Sequence, residues 1–138
     1  ARTGDSLSAR ATSVRDPGPC VVLRLGGHAC AIDAHLVQEL RAYEPPTAVA
    51  GMPHFVEGVV SIRGALVPVV DLRMLLACGS ARHDGGTVLV LLGLHGRTVG
   101  LVADGARAGS PADELAVPHI DIEALLSDAG MSAARAAS

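Results

Sequence analysis

FVEGVVSIRGALVPVVDLRMLL, Phe55–Leu76, decides the fold. In 22 residues it holds an alternating strand, a tight Arg63-Gly64 turn, a second apolar strand and a short helix that Asp71 is placed to cap. Leu72, Leu75 and Leu76 follow at i, i+3 and i+4, which gives the helix one apolar face. The stretch carries no cluster of catalytic residue types. Such a hairpin is built to be touched, which points to a binding module.

Outward from this stretch the chain reads as β-rich. Cys20 to Leu25 and His28 to Ile32 flank Gly26-Gly27, a two-residue hairpin turn. Leu36 to Tyr43 begins as a helical turn and ends as a strand. The Pro-containing stretch from Glu44 to His54 is a loop, as is Cys78 to Gly86. Thr87 to Leu92 and Thr98 to Ala103 form a second hairpin whose first arm is apolar on both faces, as in a buried strand. Residues 1–18 and 129–138 are rich in small and polar residues and predict a disordered lead-in and tail.

Two halves resemble each other. Leu25-Gly26-Gly27-His28 lies over Leu92-Gly93-Leu94-His95 at a shift of 67, and LVPVVDLRMLL (66–76) lies over AVPHIDIEALL (116–126) at a shift of 50. The difference of 17 makes the second copy shorter, and what falls in the gap is the counterpart of the strand and Arg-Gly turn. Losing a strand removes a few core side chains, roughly 1.5–3 kcal/mol each, and leaves an unpaired sheet edge. The second unit is expected to be marginal alone, or to be completed by the first unit, by self-association or by a partner.

Composition excludes several functions. The 138 residues are 49% hydrophobic, enough for one domain or two very small ones, and the net charge is −3. Eleven Arg are scattered without a basic run, and with one Phe, one Tyr and no Trp there is little for bases to stack on, so nucleic acid is not an expected partner. No Lys is present, which removes phosphate-loop, Schiff-base and Ser-Lys chemistry. The odd set Cys20, Cys30 and Cys78 has no metal-finger spacing and suits a reducing compartment. No run reaches 18 apolar residues, so a soluble, unexported protein without membrane insertion is expected.

Two constellations invite a chemical reading. Asp71 and Asp121 hold equivalent places in the repeat and could form an acid/base dyad, but each stands where a side-chain oxygen caps a helix. His28, with Cys30 on the same strand face, could begin a metal site. Yet His28 and His95 share a repeat position beside a glycine turn, where solvated polar residues belong. The expectation is no enzyme, no metal and no cofactor.

The stretches VVLRLGGHACAIDAHLVQELRAY, VEGVVSIRGALVPVVDLRMLL and TVLVLLGLHGRTVGLVADGA resemble the CheW family of chemotaxis coupling proteins and the related regulatory domain of CheA-type histidine kinases. The likeness covers residues 20 to 109 and resumes at 116–126. Its most specific part is the Gly-x-x-x-x-Arg-Gly-x-x-x-Pro-x-x-Asp-Leu-Arg run from Gly58 to Arg73. It implies an all-β fold of two SH3-like five-stranded barrels with short helices. Subdomain 1 would span about 30–86; subdomain 2 about 87–118 plus strand 20–25, with a closing helix at 121–128.

It also implies a cytoplasmic adaptor at receptor arrays on the inner face of the membrane. One partner would be the signalling tip of a methyl-accepting receptor, the other the kinase regulatory domain. Matched residue by residue, the receptor groove would use Val37, Glu39, Gly58, Arg63, Gly64 and Val88. Val37 and Val88 would supply apolar contact, Glu39 and Arg63 would set register by charge, and the glycines would allow close approach. The plainer alternatives are a turn for Arg63-Gly64, solvated surface for Glu39 and core for the valines. Where the family continues through further strands, this chain passes from Ala108 through GSPADEL to Ala116, so the second barrel is expected to be incomplete and the protein to self-associate weakly.

Overall fold

The computed structural model describes residues 19–77, 85–110 and 116–129. The expected lead-in, nearly all of the tail, and Cys78 with most of its loop lie outside the described residues. The elements run β1 (Cys20–Leu25), β2 (His28–Asp33), a 3-10 turn (Ala34–Leu36), β3 (Val37–Ala42), β4 (Val56–Ile62), β5 (Ala65–Asp71), α1 (Leu72–Leu75), β6 (Val88–Leu94), β7 (Arg97–Ala103), β8 (Gly105–Ala108) and α2 (Ile122–Asp128). The decisive stretch folds as read. Arg63 and Gly64 both take positive φ, 49° and 85°, as a two-residue hairpin turn requires.

The fold is all-β with short helices, arranged as two sheets. One has the order β3-β6-β7-β5-β4, with β5 and β7 parallel; the other is β2-β1-β8. Strands from both expected subdomains share the larger sheet: β3, β4 and β5 from the first, β6 and β7 from the second. The expected barrels are not closed by a continuous ladder. β3 and β4 are the two edges of the five-stranded sheet, and they are linked by side chains and by one antiparallel bridge between Val59 of β4 and Thr47 in the chain that leaves β3.

The core explains why β6 is apolar on both faces. Val90, Leu92 and Leu94 join Val21, Leu23, Leu25, Cys30, Ile32 and Leu101 in the layer between the two sheets. Leu89 and Leu91 point the other way, into a second cluster with Val60, Ile62, Val67, Val69 and Val102. Among the described residues, the three-stranded sheet has a smaller outer cluster of Cys20, Val22 and Ala31, with Ala29 and Val117 beside it.

The duplication is real in three dimensions, but its register differs from the sequence alignment. The turn of the second hairpin is His95-Gly96, φ 50° and 78°, so it matches Gly26-Gly27 at a shift of 69 rather than 67. Gly93 lies inside β6, and His95 sits in the turn while His28 opens a strand; the two histidines are not equivalent. Leucine and glycine recur on both sides of the turn, which is why residue identity alone slipped by two.

With the corrected shift the ladders superpose. Val69 pairs in parallel with Gly100, and His119 pairs in parallel with Ala31 through an isolated bridge. Glu39 lies opposite Leu91, and Arg107 opposite Val22. Each sheet is therefore the opening hairpin of one copy flanked by later strands of the other. The five-stranded sheet also has β4 outside β5; among the described residues nothing corresponding lies outside 117–120.

Candidate partner-binding surface

The six residues that the sequence grouped as one surface fall into three places. A bulge in β3 decides this. Val37 lies opposite Leu92 and Glu39 opposite Leu91, so Val37 and Glu39 face opposite sides of the sheet. Val37 and Val88 are half-buried and both pack against the inter-sheet core, at opposite ends of the β3–β6 ladder. Between them Leu40 faces the same side and is 47% exposed. Sequence reasoning missed Leu40, because plain alternation puts it on the face away from Val37.

Glu39, Arg63 and Gly64 come together at the rim of the larger sheet. Arg63 Nη2 donates to Glu39 Oε1 at 2.8 Å, and Arg41 Nη1 is 3.5 Å from Glu39 Oε2. This contact holds the carboxyl of Glu39 below its ordinary value, chiefly through the hydrogen bond from Arg63. Nearby, the Tyr43 hydroxyl donates to Glu57 Oε1 at 2.7 Å; burial first and this bond second raise the Tyr43 pKa well above the ordinary phenol value. Both contacts tie the β3 side of the sheet to β4 or the turn after it.

Gly58 stands apart. At φ 150° a Cβ there would come within 2.1 Å of the Thr47 carbonyl oxygen, and the flanking Val59 exchanges hydrogen bonds with Thr47. The close approach that Gly58 permits is made by this chain's own loop.

The Asp-Leu-Arg end of the motif builds a staple between the sheets. Arg73 is 2% exposed and Asp71 fully buried. Arg73 Nε and Nη2 donate to the two oxygens of Asp71 at 3.0 Å each, and Nη1 donates to Asp104 Oδ1 at 2.8 Å. Asp104 Oδ2 in turn accepts from the Gly26 amide, and Arg24 Nη2 donates to the Asp104 carbonyl at 2.7 Å. The bidentate contact with Asp71 raises the Arg73 pKa further above its ordinary value. Asp71 also caps α1 by accepting from the Arg73 amide, and Asp121 caps α2 by accepting from Ala124. With both oxygens taken, Asp71 serves as cap and counter-ion, not as half of a dyad.

One family profile, the CheW-like domain, matches residues 19–114, which hold the hairpin, the Arg-Asp staple and the Glu39–Arg63 rim. The chain belongs to the CheW-like domain family. It is 39% identical over 85 residues to the chemotaxis protein CheW of Klebsiella aerogenes, covering 62% of this chain and 51% of that protein. It is 30% identical over 103 residues to the chemotaxis protein CheW of Rhizobium meliloti, covering 75% of this chain and 63% of that one.

Among solved structures, the scaffolding protein TtCheW of Thermoanaerobacter tengcongensis matches with a TM-score of 0.61 at 25% identity, over 64% of this chain and 61% of that one. The chain thus spans about half to under two-thirds of the length of these CheW relatives. Among the described residues no helix is long and apolar enough to cross a membrane.

Proposed function

We propose that this chain is a non-catalytic CheW-type adaptor in chemotaxis signal transduction, coupling methyl-accepting receptors to a CheA-type histidine kinase in the cytoplasm beneath the receptor array. The observation that carries this is the match to the CheW-like domain together with an intact five-stranded unit and its Glu39–Arg63 rim. The receptor's helical tip would lie along the half-buried stripe of Val37, Leu40 and Val88. The Glu39–Arg63 pair would exchange partners with polar positions on the receptor helices. Gly64 keeps that rim low, and Gly58 acts indirectly by holding the 44–54 loop against β4.

A second reading is a module that binds one partner and caps or competes within the array. The three-stranded second sheet favours it, since a surface that needs both units would be impaired. Co-sedimentation with a receptor signalling fragment and the kinase, read by kinase activity in the pellet, separates the two. A receptor-dependent rise in activity that Arg63→Ala weakens is the result expected of a coupler. Pelleting with one partner only, without a rise, would establish the capping module.

A further inference from the structure

The bulge in β3 is gripped by β7, a strand that β3 does not pair with. Val37 lies opposite Leu92 and Glu39 opposite Leu91, so Gln38 is the extra residue. Its side chain crosses β6: Thr98 Oγ1 of β7 donates to Gln38 Oε1 at 3.1 Å, and a Cβ at Gly93 would come within 2.6 Å of Gln38 Nε2. Gly93 and Thr98 are cross-strand partners, so the amide lies over a single pair. Gly93 does not take positive φ, so its missing side chain serves to make room for Gln38 rather than to free the backbone.

This bulge decides what β3 presents. With Val37 opposite Leu92, a strand without the extra residue would set Gln38 opposite Leu91 and Glu39 opposite Val90. Glu39 would then turn toward the inter-sheet core, of which Val90 is part. With the bulge, Glu39 meets Arg63 while Val37 stays packed against that core. Among the described residues β3 is an edge strand with a ladder on one side, and alternation alone does not place its bulge.

We propose that Gln38 is a positioning residue: held over Gly93 by Thr98, it pins the bulge and so sets Glu39 on the side of Arg63 and Val37 with Leu40 on the other. Gln38 acts through the rim and the stripe, not by touching a partner. Its consequence for binding rests on the receptor reading given above, whereas the clamp itself is a property of the free chain. Gln38, Gly93 and Thr98 form one unit, so changes to them are expected not to add.

The test titrates the Glu39 carboxyl by NMR in the full chain and measures binding of a receptor signalling fragment. Gln38→Ala and Thr98→Val are each expected to move the Glu39 midpoint up toward the ordinary carboxylate value. Each should weaken the fragment about fivefold, the scale of one neutral hydrogen bond. Thr98→Ser keeps the hydroxyl and should retain both properties. Gly93→Ala expels the amide and should reproduce Gln38→Ala, with no further effect when the two are combined. An unchanged Glu39 midpoint in Gln38→Ala, or additive effects of Gly93→Ala and Gln38→Ala, would overturn the proposal. So would lost affinity at an unchanged midpoint, since Gln38 would then touch the partner directly. A native chain that ignores the fragment would overturn the receptor reading alone, because the titration and the double substitution are read without it.

Discussion

The two units share a plan and differ in what closes their outer cores. In the first, Leu89 and Leu91 are covered by Val60 and Ile62 of β4 and by Val67 and Val69 of β5. In the second, the equivalents of Leu89 and Leu91 are Cys20 and Val22, smaller side chains, and no β4 lies over them among the described residues. The first unit can therefore hold a charged rim in fixed geometry, because its turn is anchored by a full strand. The second has no strand outside 117–120 among the described residues, and its cleft is lined by Arg24, His28 and Arg107. Among the described residues, one duplicated plan thus yields a five-stranded sheet and a three-stranded one.

The largest effect expected to break this comparison is at the staple. Arg73→Ala leaves Asp71 buried without its counter-ion and is expected to cost about 3–5 kcal/mol in urea unfolding. The equivalent position in the second unit, Glu123, bears no such pair with Asp121, so Glu123→Ala should change stability by less than about 0.5 kcal/mol. Next comes Gly58→Ala, which drives a Cβ into the Thr47 carbonyl at positive φ. It should cost about 1–3 kcal/mol, with faster amide exchange in the 44–54 loop as the specific signature.

The helix caps sharpen the comparison at smaller scale. Asp121→Ala removes the cap on the Ala124 amide and should cost about 1 kcal/mol, below what loss of the buried Asp71 produces. The smallest effect is the acid response of the rim. The folded state holds the Glu39 carboxyl below its unfolded value of 4.5, so the contribution of the Arg63 contact is present above that value and is lost as pH falls through the folded pKa. Carbon-detected titration should find the Glu39 midpoint below 4.5 in the native protein and shifted upward in Arg63→Ala.

The sequence by itself determined the local elements. Alternation and an Arg-Gly turn specified the β4–β5 hairpin, the residue before an i, i+3, i+4 apolar face specified both Asp caps, and an all-apolar arm marked β6 as the buried strand. These are properties of a few neighbouring residues, and backbone sterics act on them directly. The repeat was legible too, though its turn register slipped by two because Leu and Gly recur around it.

Tertiary structure decided the rest. Whether Val37 and Glu39 share a face depends on a bulge set by pairing with β6, so the six grouped residues separated and Leu40 joined the apolar stripe. A partner of Arg73 beyond Asp71 is Asp104, thirty-one residues away, and the backbone that needs Gly58 to be glycine is that of Thr47. The exchange of strands between the two copies is a choice among long-range pairings. Pattern in one stretch of chain says which face is apolar, but not which other strand will cover it.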